Sequence, residues 1–67
     1  MHLTINGKRL SVGQMGPDFL IMDAAEEYAP TVALLYLSVD GHEREWTVFL
    51  PEGISAGSRR VVIAKAG

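Results

Sequence analysis

The chain has 67 residues, 48% of them hydrophobic, a formal net charge of −2 and no cysteine. That composition excludes a disordered chain, a disulfide framework and thiolate metal ligation. The mixed, mildly acidic charge argues against a nucleic-acid binder, which needs a basic patch, and no apolar run approaches the ~20 residues of a membrane helix.

One small domain over residues 1–67 is expected. A domain of this size buries only ~60% of its unfolded surface. Without disulfides, tight packing or association with another chain must supply the remaining stability. The cysteine-free composition suits a reducing compartment. The N-terminal residues lack the charged-then-apolar plan of a signal peptide. A soluble, cytoplasmic protein is therefore expected.

Residues 1–12 read as a β-hairpin turning at Asn6-Gly7, the preferred dipeptide of a type I′ turn. The register pairs Ile5 with Lys8, Leu3 with Leu10 and Met1 with Val12. One face is then apolar and the other carries His2, Thr4, Arg9 and Ser11, as in an antiparallel pair with one buried side. Residues 13–18 hold two glycines and a proline and read as a connection. Phe19, Leu20, Ile21 and Met22 form a short apolar run, consistent with a third strand. In residues 23–30, Asp23 with Glu26 offers a capping box and Pro30 a stop, so a single helical turn is expected; an acidic loop is the alternative.

Residues 32–50 organise the chain. Asp40-Gly41, flanked by apolar runs, marks a second hairpin. Its register opposes Val39 to His42, Leu37 to Arg44, Leu35 to Trp46 and Ala33 to Val48, which share one face. The other face carries Val32, Leu34, Tyr36 and Ser38 opposite Phe49, Thr47, Glu45 and Glu43. A slip by one residue would separate Trp46 and Val48 from Leu35 and Leu37. A four-residue loop with the same facing also fits. Residues 51–58 read as a loop whose Ile54 plugs one end of the core, and residues 59–64 as the last strand. Lys65, Ala66 and Gly67 are expected to fray.

The fold class is all-β: a small antiparallel sandwich or open barrel of about six hairpin-built strands, with at most one short helical turn. The expected core is Leu3, Ile5, Leu10, Val12, Phe19, Ile21, Leu35, Leu37, Val39, Trp46, Val48, Ile63 and either Val61 or Val62.

The residues offer little chemistry. A metal site would need His2 and His42 together with carboxylates such as Asp40 or Glu43, and nothing in the pattern joins them; no metal and no cofactor is expected. The pairs Glu26/Glu27, Glu43/Glu45 and Asp18/Asp23 suggest acid–base work only where a pocket separates their pKa values, and a chain this short has little volume for one. Ser58 lacks the spacing of a nucleophile elbow, and the glycines before Pro17 do not form a phosphate loop. Arg59 and Arg60 point to opposite sides of a strand, so they do not make one patch.

The second face of the central hairpin is better motivated. Val32, Leu34, Tyr36 and Phe49 place apolar and aromatic side chains on the side opposite the expected core. That face is either an interaction surface or is covered by residues 23–30 or the last strand. The leading functional expectation is a non-catalytic module that self-associates or docks on a protein partner through these four residues. The alternatives are a small nucleic-acid-binding barrel and an accessory subunit of an enzyme.

Overall fold

The computed structural model describes residues 1–66. They form an all-β fold of seven strands: β1 (His2–Ile5), β2 (Lys8–Met15), β3 (Phe19–Met22), β4 (Thr31–Val39), β5 (His42–Leu50), β6 (Arg60–Val62) and β7 (Ala64–Lys65). All pairings are antiparallel, in the order β6-β3-β2-β1-β4-β5-β7. β6 and β7 lie at opposite ends of that order, yet only Ile63 separates them. One extended segment therefore pairs with β3 through its first half and with β5 through its second. This joins the two edges and curls the sheet into a nearly closed barrel, which removes most of the open edge. The sequence shows one strand here because its residues are continuous; the change of partner at Ile63 makes two.

Both hairpins adopt the expected registers. Asn6 (φ 51°) with Gly7 (φ 82°), and Asp40 (φ 50°) with Gly41 (φ 81°), occupy the left-handed region that a type I′ turn demands. The pairs Leu3–Leu10 and Ile5–Lys8, and Leu35–Trp46 and Val39–His42, follow. β2 runs on to Met15 through the segment expected as a connection. Its first half pairs with β1 and its second with β3, and an irregularity between Val12 and Gln14 shifts the register within the β3 pairing.

The buried core is Leu3, Ile5, Leu10, Val12, Leu20, Met22, Ala33, Leu35, Val48, Leu50, Ile54 and Val61. β3 thus presents the opposite face from the one expected: Leu20 and Met22 point in, while Phe19 and Ile21 are only half-buried. Leu20 lies opposite Val61, and Met22 opposite Val12, all four buried. Phe19 instead lies across Gly16, where a Cβ would strike its ring, and the Arg60 guanidinium sits 4.9 Å from the ring centroid on the outside. Of the alternatives on the last strand, Val61 is the buried one. Leu37 is half-buried and Val39 exposed, against expectation, because the β4–β5 hairpin outruns its neighbours. β1 reaches only Leu34–Tyr36, and β7 only Val48 and Phe49. Trp46 and Ile63 pack against the core from its margin.

Residues 23–30 form no helical turn. The Asp23 amide donates to the Ser11 carbonyl (3.1 Å), and Glu26 pairs with Lys8 (3.0 Å) instead of capping. Tyr28 and Ile54 form an isolated antiparallel bridge. The segment is pinned at both ends by these strand-type hydrogen bonds, from Asp23 and from Tyr28, which hold it extended across the sheet. Ile54 is buried beneath this bridge, as expected of the plug. Lys65, expected to fray, pairs with Val48; Gly67 lies outside the described residues. Among those described, no helix is long and apolar enough to cross a membrane.

Candidate interaction surface

Cross-strand neighbours share a face, so the pairings lay out the outer side of the sheet in three rows. Ser11, His2, Tyr36 and Glu45 form the first across β2, β1, β4 and β5. Arg9, Thr4, Leu34 and Thr47 form the second. Val32, Phe49 and Ala64 form the third. The four residues singled out from the sequence therefore stand together on one surface. Val32 is 54% exposed, Leu34 41% and Phe49 38%; Tyr36 is half-buried. Neither residues 23–30 nor β6 and β7 cover them.

The face has an apolar half and a polar half. Val32, Leu34 and Phe49 make the first. In the second, the rings of His2 and Tyr36 stack at 4.6 Å with planes 16° apart. The Tyr36 hydroxyl donates to Oε1 of Glu43 on the neighbouring strand. The carboxylate acceptor favours the neutral phenol and, with partial desolvation and the negative charge of Glu43, raises the Tyr36 pKa. Desolvation, helped by the positive charges of Arg9 and the α-amino group, lowers that of His2, against an opposing pull from Glu45. The sequence places His2 on the outside of its hairpin, but only the adjacency of β1 and β4 brings it to Tyr36, and strand order is not a local property.

The arrangement lacks the geometry of a nucleophile and its base. Ser11 sits opposite His2 across β1 and β2, but its hydroxyl donates directly to Oδ2 of Asp23, while the His2 ring is taken up by Tyr36. A base must accept the hydroxyl proton while a carboxylate orients it, and His2 does neither job here because its ring stacks on Tyr36 and Asp23 binds the hydroxyl directly. The Ser11–Asp23 contact follows from the β2–β3 pairing, in which Val12 opposes Met22 and the Asp23 amide donates to the Ser11 carbonyl, and that pairing has no turn dipeptide to announce its register. Glu43 and Glu45 are exposed on the strand and face no cavity. Among the described residues, no three His, Asp or Glu side chains come close enough to hold a metal ion. Arg60 lies in β6 beside β3, with its guanidinium 4.9 Å from the centroid of the Phe19 ring.

Two shallow clefts flank this surface. One, about 310 Å³, is lined by Trp46, Ile63 and Pro17 with Ala64 and Lys65. The other, about 240 Å³, lies between β2 and residues 23–26 and is spanned by the Lys8–Glu26 ion pair. That pair raises the Lys8 pKa, but its solvent exposure leaves it little weight in stability.

Comparison with protein-family models, with curated proteins and with solved structures finds no match to this chain.

Proposed function

We propose that the chain is a non-catalytic interaction module that associates, with a second copy of itself or with another protein, through the outer face of β4 and β5. The observation that carries this reading is the contiguous exposure of Val32, Leu34 and Phe49 beside the half-buried ring of Tyr36. Three large apolar side chains on adjacent strand positions form a patch, in contrast to the scattered exposure that any surface shows. The aromatic and charged groups at its margin resemble the rim of a protein interface. Small size without cysteine adds a stability motive, since burying this face would supplement a small core.

The test is sedimentation or light scattering at micromolar concentration, repeated with Leu34→Lys and Tyr36→Glu. Both side chains point away from the core, so the variants keep the fold and lose association. A strictly monomeric protein whose Leu34→Lys variant also keeps every partner contact overturns the reading.

A further inference from the structure

The geometry points to a second binding site at the free edge of β5: an extended peptide segment, basic on one face and apolar on the other, adds there as a strand. This rests on backbone pairing and is independent of the outer-face reading. Val39–His42 closes the two-residue turn, so that pair is hydrogen-bonded across the hairpin, and the pattern alternates from there. The backbone groups of Arg44 and Trp46 therefore face β4, and those of Glu43 and Glu45 face away from it. β7 pairs only with Val48 and Phe49, and among the described residues no strand lies beside residues 42–46. The amides and carbonyls of Glu43 and Glu45 are thus presented outward in strand geometry, ready for main-chain pairing.

Two features select the occupant. Side chains of an added strand alternate between the faces of β5. On the outer face they meet the Glu43 and Glu45 carboxylates, which favour lysine or arginine. On the other face they meet the apolar cleft of about 310 Å³ bounded by Trp46, Ile63 and Pro17, which takes an aliphatic side chain. Arg44 and Lys65 border that side and disfavour a second cation there. The same carboxylates oppose edge-to-edge pairing with another copy of this chain, where Glu45 would approach its own equivalent. Repulsion of the wrong partner and attraction of a basic one come from the same pair of residues.

The probe is a capped peptide alternating lysine with valine, titrated at low salt. Trp46 is the only tryptophan, so its emission reports occupation of the cleft. Binding is expected to blue-shift that emission and to slow hydrogen exchange of the Glu43 and Glu45 amides. Glu45→Lys combined with Glu43→Gln weakens binding by about tenfold or more. So does N-methylation of alternate peptide amides, which keeps charge and side chains but removes donors. No binding by the wild-type protein, or equal binding of the N-methylated peptide, overturns the inference.

Discussion

Tyr28 and Ile54 exchange both backbone hydrogen bonds, at 2.8 and 2.9 Å, and so tie two loops together outside any strand. The bridge closes residues 23–30 over the buried Ile54. It depends on the residue next to it: Gly53 has φ +63°, and a Cβ there would strike the Tyr28 carbonyl oxygen and the backbone of Ala29 and Pro30. Those are main-chain atoms held by the bridge itself, so they cannot swing aside.

Gly53→Ala therefore combines conformational strain with a clash. Gly41→Ala isolates the strain, because φ is +81° there with nothing within 4 Å of the added carbon. The left-handed backbone alone costs about 1–2 kcal/mol. Urea unfolding should show roughly that loss for Gly41→Ala and more than about 3 kcal/mol for Gly53→Ala, the excess coming from the clash. Equal losses would mean that the Tyr28 carbonyl yields.

The parts of the fold that were legible in the sequence are those set by neighbours along the chain. Asn6-Gly7 and Asp40-Gly41 fix their turns, and period-2 alternation then fixes both registers and most of the core. The parts that were not legible depend on distant partners. Phe19, Leu20, Ile21 and Met22 are apolar on both sides, so alternation cannot choose a face; pairing with Val12 and Val61 chooses it. Asp23 and Glu26 satisfy the local pattern of a capping box, but Ser11 and Lys8, brought in by β2, take both side chains. The candidate surface shows the same division. Val32, Leu34, Tyr36 and Phe49 share a face by register alone, whereas the stacking of His2 on Tyr36 required the β1–β4 adjacency.

The reversed face of β3 has a direct energetic consequence. Leu20 is fully buried, so Leu20→Ala should cost about 2–5 kcal/mol, enough to unfold much of a marginal domain of this size. Ile21→Ala removes a similar side chain from a half-exposed position and should cost distinctly less. Thermal or denaturant unfolding of the two variants decides it. A larger loss at Ile21 would restore the facing expected from the sequence.

The Tyr36–Glu43 contact is readable by titration. Glu43 holds the Tyr36 pKa above its ordinary value of 10.0, the hydrogen bond contributing most. Glu43→Gln removes the charge and weakens the acceptor, so the Tyr36 ring resonances should titrate at lower pH in the variant than in the wild type. An unchanged midpoint would show that the two side chains do not meet in solution.

His2 titrates in the opposite sense, with consequences for pH dependence. Its pKa in the folded protein lies below the ordinary 6.5, chiefly from desolvation beside Tyr36 and then from Arg9 and the α-amino group. In the interval just below pH 6.5 the unfolded chain binds the proton more readily than the folded one. The stability associated with neutral His2 is thus fully present above 6.5 and is lost as pH falls through the folded pKa. His2→Phe keeps a ring against Tyr36 and removes the titration, while every other titrating side chain is common to both proteins. The stability of wild type relative to the variant should therefore fall on acidification from about pH 7.5 to about pH 5. An NMR titration of the His2 ring locates the midpoint directly, and Arg9→Gln should move it upward by removing a repelling charge. A wild-type midpoint at or above 6.5 would contradict the stacked, partly desolvated placement of His2.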